Sequence, residues 1–249
     1  MNRFIAYFDY LGFKEFIENN DLESQNRIIA YNFRDIESAL GKGKYKDTPH
    51  GMIADISNSR ISCINFSDTV VFFTNDTSTN SLSEILEVAY NFNMRAIGFC
   101  FPVRGALVYG EMVYVDFKQK NGGGGVYNIN SVYGKGLVKA HIRADEQHWA
   151  GTVIDKSFIS EIINWGYNLD EFLLPYAKKY RVPYKHSNER EDEYVLNIVN
   201  GTLNDEAFKN KSKYIRENFA QYNKSVADER VQQKISNTLR FLESYYVKE

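Results

Sequence analysis

Cysteine, proline and tryptophan are scarce in this 249-residue chain, at two, four and two residues. Both cysteines sit in apolar runs, Ile61-Ser62-Cys63-Ile64 and Gly98-Phe99-Cys100-Phe101. That placement reads as two buried small hydrophobes and argues against a disulfide framework or a zinc site. The four histidines, His50, His141, His148 and His186, also lack metal-ligand spacing. His141 and His148, seven apart, read as a solvated pair on a helix. Neither charge dominates: 30 basic residues against 32 acidic ones give a net charge of −2. The strongly basic footprint of a nucleic-acid binder is absent, although a local basic pocket for a small anion stays open. No apolar run reaches the length of a membrane span, and none forms a signal region near the N-terminus. A cytoplasmic protein without membrane association is expected. Internal repeats are also missing.

What is present is an ordinary globular composition, 43% hydrophobic and 25% charged. A chain of this length hides roughly three quarters of its unfolded surface, so a core forms without staples. The length fits one large domain with an appended element. Residues 1–200 read as that domain and 201–249 as a C-terminal helical extension, packed on the same domain or in a dimer.

Phe4-Ile5-Ala6-Tyr7-Phe8 reads as a buried strand running into a turn at Asp9–Gly12. Residues 13–40 carry helical spacing, and 41–51 read as a loop by composition, with Lys42, Lys44 and Lys46 solvated. The runs 60–66 and 69–74, broken only by Ser67-Asp68, predict a hairpin. A helix is expected over 81–98, an apolar unit over 101–115, a flexible turn at Asn121–Gly125 and a helix over 134–149. Then follow a strand at 151–155, a helix at 157–164, strands at 180–185 and 194–199, and a charged surface turn at 188–193. The tail, 205–248, is helical, with Val231, Ile235, Leu239, Leu242 and Tyr246 forming a stripe that serves as core or dimer seam. The order β-α-β-β-α-β predicts an α+β fold, an α/β sandwich built on a ferredoxin-like sheet with helices on one face.

Three polar groups interrupt the apolar strands: Asp9, Asp68 and Arg104. In a ferredoxin-like sheet the first strand and the hairpin are neighbours. Two carboxylates brought together there repel unless protonated or bridged by cations. Hard divalent metals held by one or two carboxylates and substrate phosphates meet that need. The alternative is structural: Asp9 caps the next helix, Asp68 makes the turn, and Arg104 pairs with an acidic neighbour. Gly12, between strand and helix, lets backbone N–H groups approach an anion.

Four segments in order, Phe8-Asp9-Tyr10-Leu11-Gly12-Phe13, Phe66-Ser67-Asp68-Thr69, Val103–Gly110 and Tyr133–Ala140, resemble the class III nucleotide cyclase catalytic domain. More narrowly the chain is similar to the bacterial pyrimidine cyclases of Pycsar antiphage defence, over residues 4–155, with a weaker echo at Tyr180–Lys185. The resemblance implies a central, mostly antiparallel sheet and two divalent ions, Mn²⁺ or Mg²⁺, held by Asp9, Asp68 and the Tyr10 carbonyl. It implies that Leu11, Gly12 and Phe13 present N–H groups to the β- and γ-phosphates, with Arg104 as the phosphate-contacting arginine. Lys185 stands where a second phosphate-binding lysine arises in that fold. The ions would activate the ribose 3′-hydroxyl and neutralise the leaving pyrophosphate. Sites of this class form between two domains, so a homodimer follows.

The departures carry information. The Lys and Asp with which adenylyl cyclases select adenine fall at Ile64 and Ser131, which puts ATP in doubt. The transition-state Asn and Arg fall at Val138 and Ile142, and Lys139 or Arg143 substitute only if the helix register slips by one. The resemblance thus implies a uridylate or cytidylate cyclase making cyclic UMP or CMP for a separate effector. A purine cyclase and a catalytically silent nucleotide-binding or regulatory domain are the alternatives.

Overall fold

In the computed structural model, which describes residues 1–99, 101–186 and 192–247, strand β1 (Asn2–Tyr10) is an interior strand of a seven-stranded sheet. Phe4 to Phe8 are all buried, so both faces of β1 are covered, the reason the sequence shows an unbroken apolar run there. Helices α1 (Phe13–Asn19) and α2 (Leu22–Leu40) follow. Next come strands β2 (Tyr45–Thr48), β3 (Gly51–Ala54), β4 (Ile61–Phe66) and β5 (Thr69–Thr74), helix α3 (Thr79–Gly98) and strand β6 (Val103–Glu111). Strands β7 (Val113–Lys120) and β8 (Val126–Tyr133) form a hairpin ahead of helix α4 (Lys135–Asp145) and strand β9 (Gly151–Ile154). Helices α5 (Lys156–Asn164) and α6 (Leu169–Leu173), strands β10 (Ala177–Tyr180) and β11 (Glu193–Leu196), and helices α7 (Asp205–Ala220) and α8 (Glu229–Glu243) complete the chain.

The sheet order is β10-β11-β9-β6-β1-β5-β4. β1 is antiparallel to both β5 and β6, and the β6–β9 pair is parallel. The expected mostly antiparallel α+β sandwich is therefore the observed one. Helices, however, cover both faces of the sheet. Phe8 packs on Phe92 of α3 at 4.8 Å between ring centroids, whereas the adjacent Tyr7 meets His141 of α4 on the other side. Alternation along β1 sends these two side chains to opposite faces.

α4 lies unusually close to the sheet. A Cβ at Gly136 would fall 2.7 Å from the Gly110 carbonyl carbon, so the contact requires glycine on the helix.

A loop is expected over 41–51, but residues 45–54 form the β2–β3 hairpin outside the main sheet, because backbone pairing there overrides a polar composition. The strand expected at 180–185 ends at Tyr180, three residues before Pro183, which has no N–H to give a ladder. The tail is two helices, and its stripe is core of the chain itself. Ile235 and Leu242 are buried, and Phe241 lies 4.9 Å from Trp149 and 4.7 Å from Tyr180, ring to ring. Cys63 is free, its thiol pushed up to about 12 by burial, while Cys100 and most of the expected 188–193 turn lie outside the described residues. No helix among the described residues is long and apolar enough to cross a membrane.

Candidate active site

Asp9 stands one residue from the end of β1, directly opposite Arg104 of β6 in the antiparallel register. Cross-strand partners share a face of the sheet, and the guanidinium reaches across, Arg104 Nε to Asp9 Oδ2 at 2.7 Å. Both side chains are only 15% exposed. The same guanidinium donates from Nη1 to the Asp145 carbonyl at 3.0 Å and meets the Asp145 carboxylate from Nη2 at 2.8 Å. Lys185 Nζ approaches that carboxylate at 3.0 Å. The end of α4 thus joins the ends of β1 and β6 in one cluster of opposite charges. Neither Asp145 nor its bridging role carried a signal in the sequence, since its partners are 41 and 40 residues away.

Asp68 forms the tip of the β4–β5 hairpin beside Ser67, whose φ of 54° makes the tight turn. The Tyr10 amide donates to the Asp68 carbonyl at 2.8 Å, tying the tip to the end of β1. Asp9 itself pairs with Thr69, the residue after Asp68. The two aspartates are therefore brought together, as the sequence predicted. Burial raises the Asp9 pKa; Arg104 works against that rise, and the negative charges of Asp68 and Asp145 add to it. The net position is above the ordinary carboxylate range, so Asp9 sits in a field that a second cation would relieve.

Among the described residues no three His, Cys, Asp or Glu side chains gather into a metal-holding group. Two carboxylates suit a hard divalent ion whose remaining ligands are waters, a carbonyl such as that of Tyr10, and substrate phosphates. The donor set fits that kind of ion and does not fit a closed, all-protein metal cage.

Gly12 adopts φ 80°, a left-handed conformation, and caps α1 without any side-chain hydrogen bond, so Asp9 is not the helix cap. The first intrahelical bond runs from Phe16 N to Gly12 O at 3.1 Å, which leaves the Phe13 amide without an intrahelical acceptor. Leu11 differs from its neighbours. Its amide donates to the Pro102 carbonyl at 2.9 Å and would have to leave that partner to meet a phosphate.

The register of α4 is settled by its ion pairs. Lys139 Nζ binds Asp155 at 2.6 Å, and Arg143 pairs with both Asp155 and Glu193. Neither lysine nor arginine takes over from Val138 and Ile142, which are 57% and 49% exposed. His141 is no member of a solvated pair. Its Nδ1 shares a hydrogen bond of 3.0 Å with the Tyr7 hydroxyl, while His148 lies beyond the helix end.

Tyr7 and His141 border a cavity of about 510 Å³ whose other lining residues include Ile64, Asn65, Thr69, Asn130 and Val138. Its lining contains no Lys, Arg, Asp or Glu. Ile64 lies where expected, and two side-chain amides, Asn65 and Asn130, join Tyr7, Thr69 and His141 as polar groups of the lining; Ser131 does not line the cavity. Alternation along β8 explains the one-residue offset.

No protein-family model matches the chain, and no curated protein matches it in sequence. Among solved structures it is similar to the guanylate cyclase domain of RhGC from Catenaria anguillulae in complex with GTP. That match has 8% identity and a TM-score of 0.50, over 79% of this chain and 96% of that one. It is equally similar to a dimeric guanylyl cyclase domain of the RhoGC fusion protein from the aquatic fungus Blastocladiella emersonii, at 8% identity and TM-score 0.50, over 78% and 95% of the two chains. At such identity the likeness establishes the fold, which is that of the class III cyclase catalytic domain.

Proposed function

We propose that the chain is a nucleotide cyclase that converts a pyrimidine ribonucleoside triphosphate, UTP or CTP, to its 3′,5′-cyclic monophosphate and pyrophosphate. The observation that carries the reading is the meeting of Asp9, Asp68 and Arg104 at one end of the central strands of this fold. Asp9, Asp68 and the Tyr10 carbonyl would hold two Mn²⁺ or Mg²⁺ ions. When bound, such ions supply the acidity that activates the 3′-hydroxyl and the charge that stabilises departing pyrophosphate. Arg104 stands against Asp9 as its counter-cation. With a nucleotide present it turns to the phosphates, and Gly12 and Phe13 offer their amides beside it. The 3′-hydroxyl, giving its proton to solvent, would then attack the α-phosphorus, and the bond from that phosphorus to the bridging α–β oxygen would break to release pyrophosphate.

The base assignment rests on the cavity, whose lining carries no Lys, Arg, Asp or Glu. An amide such as Asn65 or Asn130 both donates and accepts, matching the N3 and O4 edge of uracil or the N3 and N4 edge of cytosine. Ile64 lacks the charge with which an adenine-selecting lysine would act. The apolar Phe66, Val138 and Ile142 beside this cavity favour a homodimer that completes the site. A role as second-messenger synthase in Pycsar defence, acting through a separate effector, accords with this chemistry. The exposed Val138 and Ile142 favour a second reading, a silent nucleotide-binding domain.

Incubation with each of the four ribonucleoside triphosphates and Mn²⁺, read by mass spectrometry beside Asp68→Ala, tests the proposal. Cyclic UMP or CMP from the unaltered chain alone is the expected result. Cyclic AMP or GMP would overturn the base assignment, and nucleotide binding without any product would favour the silent domain.

A further inference from the structure

We infer that Lys234, on the C-terminal helix α8, is a phosphate-binding residue of the candidate active site, supplying from the extension a cation beside Arg104 and Lys185. The inference deepens the cyclase reading and rests on it for the identity of the nucleotide.

Helix α8 is seated at the site by buried hydrogen bonds. The Ala150 amide donates to Thr238 Oγ1 at 2.8 Å, and Asn237 Nδ2 donates to the His148 carbonyl at 2.8 Å. Ala150 directly precedes Gly151, which lies opposite Arg104 in the parallel β6–β9 register. Thr238 is fully buried and returns its own hydroxyl hydrogen to the Lys234 carbonyl at 2.8 Å. Lys234 is thus one turn before Thr238 on the same helix face, beside the 148–150 segment that leads into β9, and Arg104 and Asp9 are among the charges that act on it.

A second set of contacts fixes the other end. The α7–α8 connection straps α1, with Asn20 Nδ2 donating to the Tyr222 carbonyl at 2.7 Å and Asn19 Nδ2 to the Asn223 carbonyl at 2.9 Å. The Ser225 amide donates to Glu15 Oε2 at 2.7 Å. The aliphatic stem of Lys224 lies against Gly12, its Cδ 2.8 Å from where a Cβ would be. The extension therefore touches both the glycine turn expected to meet the phosphates and the residues just before β9, whose Gly151 lies opposite Arg104.

Lys234 is half-buried, and among the described residues no carboxylate lies within ion-pair distance of its ammonium. Burial, followed by the positive charges of Arg104, Lys185 and Arg230, holds its pKa below the ordinary lysine range, against a pull from Asp9. The nearby His148 is held down by burial and by Lys234 and Lys185. An ammonium kept half-buried among other cations has an unfavourable environment that a polyanion corrects. A triphosphate reaching from Asp9 toward Gly12 is such a polyanion.

The test is titration of the full chain with inorganic tripolyphosphate by calorimetry, with cyclase kinetics in parallel, for the unaltered protein, Lys234→Ala, Lys234→Arg and the distant Lys213→Ala. Lys234→Ala is expected to weaken tripolyphosphate binding about tenfold and raise KM similarly. Lys234→Arg should recover most of that loss, and Lys213→Ala should bind as the unaltered chain does. If Lys234→Ala fails to fold, Lys234→Met, which keeps the apolar stem, decides the same question. Equal binding by the Lys234 variants, or no binding by the unaltered chain, overturns the inference. Lys234-dependent binding without cyclic product from any nucleotide would leave this phosphate site standing and sink the cyclase reading instead.

Discussion

Asp155 illustrates how single residues hold the site's scaffold without taking part in its chemistry. It caps α5 through the Ser157 amide at 2.8 Å and binds Lys139 of α4 at 2.6 Å. Burial opposes its ionisation, but Lys139 and Ser157 outweigh burial and hold the carboxyl below its ordinary range. A carboxylate with a depressed folded-state pKa contributes stability above its unfolded value, and loses it as pH falls through the folded value. Asp155→Asn is expected to lower the urea midpoint at pH 7 and to leave little difference from the unaltered chain near pH 2. A midpoint difference that stays constant between those pH values would show that the carboxylate's charge is not what matters. Asp9 has the opposite displacement because there burial is the stronger influence, and Arg104 only partly offsets it.

At the scale of elements, α4 decides most about the site. Its glycine contact with β6 sets its height above the sheet, its Lys139 and Arg143 pairs set its rotation, and its last residue, Asp145, clamps Arg104. Gly136→Ala places a methyl group 2.7 Å from backbone, so the helix must rise. The expected cost is about 1–3 kcal/mol in denaturant unfolding, typical of overpacking. Turnover should fall further than stability alone explains, because Asp145 moves with the helix. Unchanged stability and activity in the Gly136→Ala variant would refute the close-approach argument. The helix was visible in the sequence, its start marked by Gly134 and Gly136. Its rotation was not, because Asp155 and Glu193 come from elements far along the chain.

At the scale of the whole molecule, the proposed homodimer predicts a face that a second copy would cover. Phe66 is 79% exposed at the hairpin tip, and Val138 and Ile142 lie exposed on α4 near the cavity. Apolar side chains of this size around a cavity are a characteristic interface surface. The unaltered chain is expected to sediment as a dimer. Ile142→Asp should yield a monomer with unchanged circular dichroism and no turnover. A monomeric unaltered chain that cyclises nucleotide would exclude a shared site. The α8 stripe, by contrast, is core of the chain itself: Ile235 and Leu242 are buried, and the neighbouring Phe241 packs on Trp149 and Tyr180.

Local chemistry was legible in the sequence alone. The buried first strand, the Ser67-Asp68 hairpin tip, the helix expected over 81–98 and observed over Thr79–Gly98, and the three polar interruptions Asp9, Asp68 and Arg104 all follow from short-range patterning. These depend on periodicity and turn preference, which adjacent residues express. Only the tertiary structure decided that Arg104 binds Asp9 and Asp145, that Asn130 rather than Ser131 lines the cavity, and that α8 brings Lys234 to the same end of the sheet. Such facts depend on strand register, helix rotation and contacts between distant segments. No local pattern encodes them, because each is set by how the elements pack together.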